Sequence, residues 1–231
     1  MKIVNFTNSF ATKYVRRMAN FSIRALIMIL VVGLATVSCK TSDDDDDDGD
    51  GQQLEGFMYG VKKGTIVYKI SDWYDEEATI ETHTVIFDDN GKRTRLETGD
   101  DDIMIFDAIA GKMYILYPSD KEYLEMSYSG YGLLGAYLYL GDDLNSAWRH
   151  FPGFKKLSNK TIAGKNCTVY SWSADGVTVE WGGWNRITFW CQSYEGAPGS
   201  SGSSRLEATS FKETIPDNSF TPPSDYTKID Y

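Results

Sequence analysis

The 231-residue chain is short of the side chains on which most catalysis and metal binding depend. It has two histidines, His83 and His150, and three cysteines, Cys39, Cys167 and Cys191. A hydrolase or transferase needs a nucleophile held against a base, or acids facing each other across a cleft. His83 falls in an alternating strand pattern beside Glu81 and Val85, which reads as a strand histidine, and nothing near His150 in sequence gives it a role. Two histidines and separated cysteines do not make the spacing of a zinc site. Neighbouring acids at 100–102 and 142–143 are what 33 Asp+Glu residues supply in solvated turns. The expectation is a protein that is not an enzyme and uses no cofactor or metal.

Positive charge is also scarce. Cutting off residues 1–38 removes five of the 23 Lys+Arg and no acid, which leaves 18 against 33, a net charge of −15. That balance argues against nucleic acid as a partner. Long apolar runs are missing too. The longest, 25–37, stops at Arg24 on one side and Ser38 on the other, whereas a spanning helix needs about 20 apolar residues. With Lys2, Lys13, Arg16, Arg17 and Arg24 ahead of it, the run reads as the apolar part of an export signal.

Cys39 follows Ser38 directly and ends the leader. The stretch from Leu34 to Cys39 resembles a lipoprotein signal, with Thr36 where such signals usually carry leucine. Cys39 is therefore expected to be the acylated residue, and a membrane the partner reached through that anchor. Six aspartates, Asp43 to Asp48, come next. Such a block repels itself and stays solvated. After Cys39 and Ser42 it resembles the export tether of surface-exposed Bacteroidetes lipoproteins, which implies display on the outer membrane. Asp44, Asp46, Asp48, Gly49 and Glu55 match a calcium-loop spacing. The flanking segments are a leader and a strand rather than two helices, so specific calcium binding is not expected.

The organisation is a signal over 1–38, a flexible acidic tether over 39–53 and a single β-rich domain over 54–231. Strands are expected at 65–70, 79–87, 92–97, 103–106, 112–117, 122–126, 166–173, 177–182, 186–193 and 206–212. Asn90-Gly91 predicts a tight hairpin turn, and Arg93, Arg95 and Glu97 are expected to face water. Leu133, Tyr137, Leu140, Leu144 and Trp148 share a helical face, interrupted by glycines, which predicts one or two short helical turns. In a meander of the three strands from 166 to 193, Cys167 and Cys191 lie too far apart to bond. Parity places Trp172 with Tyr170, and Trp190 with Thr188 and Arg186.

Four phrases carry a family likeness: Phe87 to Arg93, Gly111 to Pro118, Ile162 to Cys167, and Ile215-Pro216 through Phe220-Thr221-Pro222-Pro223. Together they resemble a group of Bacteroidetes lipoproteins related to periplasmic lipoprotein carriers of the LolA type. The resemblance implies a strongly curved antiparallel sheet, an unclosed β-barrel, with short helices on its concave side. Together with the apolar segment at 133–148 it points to an apolar ligand or lipid held there. The resemblance carries over no ligand contacts, and Met104, Phe106, Tyr114, Leu116, Leu134, Tyr137 and Leu138 are this chain's own candidate lining. An ordinary filled core is the competing reading for all seven. A different function, a glycan- or protein-binding module using exposed tryptophans near 181–190, remains open beside it.

Overall fold

The computed structural model describes residues 59–74, 77–99, 103–128, 137, 139, 153–174 and 176–230. The leader, Cys39, the aspartate tract with its calcium-like spacing, the acids at 100–102 and 142–143, His150, Leu134 and Leu138 lie outside them. So does most of the segment expected to be helical; of it, Tyr137 has helical backbone and Tyr139 does not.

Thirteen strands are present among the described residues: β1 Gly64–Tyr74, β2 Glu77–Asp88, β3 Arg93–Glu97, β4 Ile103–Asp107, β5 Lys112–Tyr117, β6 Glu122–Ser127, β7 Lys155–Lys156, β8 Lys160–Ile162, β9 Lys165–Ala174, β10 Val177–Trp184, β11 Ile187–Glu195, β12 Ser204–Lys212 and β13 Thr227–Ile229. They form one unclosed, curved sheet in the order β13-β6-β5-β4-β3-β2-β1-β12-β11-β10-β9-β7, with β8 paired to β9. Every pairing is antiparallel except β13 on β6, which is parallel. The mainly β, half-barrel architecture implied by the sequence is therefore the one observed.

Two register shifts help to curl the sheet. One lies between Val67 and Tyr68 of β1 against β12, the other between Gly182 and Gly183 of β10 against β11. Extra residues at such points bend and twist a strand. The bend is visible in one bond: the Tyr68 hydroxyl donates to the Thr188 carbonyl at 2.8 Å, although β12 separates their two strands. On a flat sheet those strands would be roughly 9.5 Å apart.

Alternation gives the sheet two faces, and both are covered. Ile66, Tyr68, Val85, Phe87, Leu96 and Leu124 are buried on the inner one. On the outer one Ile86, Ile105, Leu116 and Phe220 form a second core, with Ile103, Tyr114, Tyr123, Ile215 and Tyr226 packed against it. The chain after β12 supplies Ile215, Phe220 and Tyr226 by crossing the backs of β2 to β6 as a strap. Thr65 Oγ1 donates to the Thr214 carbonyl at 2.8 Å, and Lys121 pairs with Asp225 at 2.9 Å. The strap ends by adding β13 to the edge of β6.

This strap corrects the expectation for β3. Arg93, Arg95 and Glu97 do lie on the outer face but do not look into open water. Arg95 is only 15% exposed, holds Glu97 at 2.7 Å, and donates to the Ser219 carbonyl at 3.4 Å. The Asn90-Gly91 connection also differs from a two-residue hairpin. Asp89, Asn90 and Gly91 form a short 3-10 turn with φ of 48°, 58° and 97°. Gly91 is buried there, and that backbone is one only glycine adopts without strain.

Candidate functional site: the inner face of the sheet

On the half built from β1, β2 and β9 to β11, two tyrosines from the segment after β6 enter the inner face. The Tyr137 ring lies 4.9 Å from that of Tyr68, and its hydroxyl sits 3.3 Å from Nδ1 of His83. His83 is 4% exposed and shares its face with Glu81 and Val85, as the alternation predicts; its Nε2 is 3.5 Å from Glu81 Oε2. The Tyr139 N–H donates to the Arg186 carbonyl at 2.8 Å, and its hydroxyl to the Thr168 carbonyl at 2.8 Å. Its ring meets Trp181 edge-on at 5.1 Å, and Trp181 Nε1 donates to Thr188 Oγ1 at 3.0 Å. This half is filled by side chains.

The chemistry available there is hydrogen bonding rather than attack. Burial pushes the Tyr59, Tyr68 and Tyr137 hydroxyls well above the ordinary phenol range, so all three stay protonated at neutral pH. The Tyr59 hydroxyl is buried with no hydrogen-bond partner among the described residues. Cys167 and Cys191 are both thiols, not joined in a disulfide. Burial lifts the Cys167 thiol to about 11 and the Cys191 thiol to about 12, so neither is a thiolate near pH 7. Cys191 is half-exposed as a residue, but its sulfur is enclosed. Among the described residues no group of three or more His, Cys, Asp or Glu could hold a metal ion.

The other half, β4 to β6, presents a different surface. Strand register sets Met104 opposite Ile115, Phe106 opposite Met113, and Met113 opposite Met126. Directly opposed residues point to the same side, so Met104, Phe106, Met113, Ile115 and Met126 form one apolar strip on the inner face. Leu96 and Leu124 are buried beside it. All five strip residues are half-buried rather than enclosed. Methionine and phenylalanine in that state make a soft, adaptable contact surface.

The five described members of the expected lining do not share a face. Met104 and Phe106 belong to the strip, and Tyr137 reaches the inner face next to Tyr68. Tyr114 and Leu116 point outward, opposite Ile105 and Ile103, and belong to the core under the strap. Met113, Ile115 and Met126 take their place. The signal that finds them is the four-residue turn between Asp107 and Lys112: it pairs even positions of β4 with odd positions of β5.

The tryptophans give little open platform. Trp172 and Trp181 are buried. Trp184 carries the Lys165 ammonium 4.0 Å from its ring centre, Trp190 has Lys160 at 4.2 Å and Arg205 at 5.1 Å, and Arg205 also lies 5.3 Å from Trp73. The expected grouping of Trp190 with Thr188 does not hold. Phe189 is the inserted residue at the register shift, so Thr188 faces Gly183 while Trp190 faces Gly182, on opposite sides of the sheet.

No protein-family model matches the chain, and no curated protein matches it in sequence. Solved structures do match. The chain is similar to an uncharacterized conserved protein from Thermus thermophilus, at 6% identity and a TM-score of 0.43, over 76% of this chain and 93% of that one. It is similar to the Pseudomonas aeruginosa MucA/MucB complex structure at 10% identity and a TM-score of 0.44. That match covers 71% of this chain and 56% of the other. A LolA superfamily protein from Nitrosomonas europaea is similar at 11% identity and a TM-score of 0.31, over 73% and 93% of the two chains.

Proposed function

We propose that the protein is a non-catalytic, lipid-anchored outer-membrane protein, displayed at the cell surface, that holds an apolar ligand or lipid along the inner face of β4 to β6. The observation that carries this reading is the half-buried strip of Met104, Phe106, Met113, Ile115 and Met126. On the outer face of the same hairpin Ile105 and Leu116 are fully enclosed and Ile103 and Tyr114 are half-buried, whereas none of the strip residues on β4 and β5 is enclosed. Apolar surface left accessible on one face of a structured sheet is a feature of binding sites rather than of packing. Cys39, the short apolar run before it and the aspartate tract support the anchor and the tether. The tryptophans support this reading over a sugar-binding one, because cations already occupy ring faces that sugars would need.

Native mass spectrometry of the protein extracted gently from membranes tests the proposal. The parent is expected to carry an apolar adduct, and the double variant Met104→Gln/Met113→Gln to lose it while keeping its melting temperature within a few degrees. Leu116→Ala should behave in the opposite way, costing about 2–5 kcal/mol of stability while retaining the adduct. A parent free of any adduct would end the carrier reading.

A further inference from the structure

We infer that the free edge of β2, over 77–81, accepts an extended basic segment of a partner polypeptide as an added strand. β2 pairs with β1 along its whole length, from Glu77 opposite Tyr74 to Phe87 opposite Gly64. β3 covers the other edge only from Thr84 to Asp88. Gly99 comes beside Thr82, where a Cβ added to it would lie 3.7 Å from the Thr82 carbonyl oxygen. Below that point, among the described residues, nothing hydrogen-bonds the outer edge of β2, and every residue from Glu77 to Thr82 is exposed. An edge of unpaired N–H and C=O groups is a template for another strand.

Proteins usually guard such an edge with a bulge, a proline or inward charges. This stretch has no proline, and its register with β1 is unbroken. Its guard is acidic. Glu77, Thr79 and Glu81 point to the side that also carries Asp72, and Ile80, 57% exposed, points to the other. Burial, with Glu81 as a neighbour, raises the Asp72 carboxyl above its ordinary value, so cations there are favoured. A second copy of this chain, at net charge −10, would bring the same acids to the same edge. A basic strand would not. Pairing of the strand-addition kind reads alternate side chains through the sheet's two-residue period. The fitting segment therefore has basic residues four positions apart, opposite Glu77 and Glu81, and apolar residues between them beside Ile80. In the strand order β3 alone separates this edge from the strip on β4 to β6, but no residue of the strip contributes to it.

The test uses the full-length chain in detergent and a fluorescein-labelled, end-blocked peptide, Lys-Val-Thr-Val-Lys flanked by threonines, followed by anisotropy. Saturable binding is expected, weakened at least about tenfold by Glu77→Lys/Glu81→Lys. Two further peptides are N-methylated, one at the valines and one at the residues alternating with them. Only one set of N–H groups can face the edge, so one of these peptides should bind and the other should fail. Equal binding by both would reduce the contact to charge adsorption and overturn the proposal, as would the absence of saturable binding. Sedimentation that shows a dimer abolished by the double Glu→Lys variant would assign the edge to a second copy instead.

Discussion

Gly183 decides where Tyr139 sits. A Cβ at that position would lie 2.2 Å from Tyr139 Cγ and 2.5 Å from the Ile187 carbonyl oxygen. One of those neighbours is backbone, so rotation of a side chain cannot relieve the clash. Gly183→Ala is expected to destabilise by about 3 kcal/mol or more and to quench the near-ultraviolet circular dichroism that the Tyr139–Trp181 contact contributes. A melting temperature and spectrum matching the parent would show that Tyr139 does not depend on this glycine. Asp72 gives a prediction with the opposite sign. Its carboxyl is raised in the folded state, so the charged form opposes folding; stability is greatest with Asp72 protonated and falls as pH rises from the unfolded value toward the folded one. Asp72→Asn should therefore raise the melting temperature at pH 7, and the gain should fade below pH about 4. At this scale the sequence was legible where alternation is unbroken. His83 with Glu81, and Trp172 with Tyr170, fall as counted. Trp190 does not, because an inserted residue reverses parity and leaves no mark in composition.

At the scale of elements, ten strands were legible from alternation and turn residues, most within two residues of their ends. β7, β8 and β13 were not; each has two or three residues, too few for a period to appear. The larger omission was the partner of the outer face. Alternation says that β4 and β5 have two apolar sides, but it does not say which side a distant segment covers. Tyr114 and Leu116 are expected in one lining with Met104 and Phe106; the register across residues 108–111 separates them. The strap therefore bears the next prediction. Ending the chain after Glu213 would uncover Ile86, Ile105 and Leu116 and remove Phe220, a ring over which the Arg93 guanidinium lies at 5.1 Å. Removing one buried phenylalanine ring alone costs about 3–5 kcal/mol, a large part of the stability of an ordinary domain. The truncated chain is expected to lose its cooperative thermal transition and to bind a hydrophobic dye, and Phe220→Ala to show a milder form of both. A truncated chain that melts as the parent does would mean that the strap only rests on the sheet.

For the whole molecule, the shape and the address come from different parts of the chain. The half-barrel was legible because its turn-and-strand phrases span most of the domain. The address rests on a few residues around Cys39, and charge gives it a physical test. Two forces can hold a protein at a bilayer: acyl chains, worth about 0.8 kcal/mol per buried methylene, and attraction of basic residues to anionic lipid. With 18 basic residues against 33 acids after the leader, and six aspartates close behind Cys39, the second force is repulsive here. With the proposed anchor at Cys39, the binding must then come from the acyl chains. The parent should stay with membranes through a high-salt wash and enter the detergent phase on Triton X-114 partitioning. Cys39→Ala should abolish incorporation of an alkynyl fatty acid and move the protein to the aqueous phase. If the unlabelled variant remained in the detergent phase, the apolar run over 25–37 would be a retained anchor and the lipid assignment would fail. If it remained there and still took up label, acylation would belong to another residue.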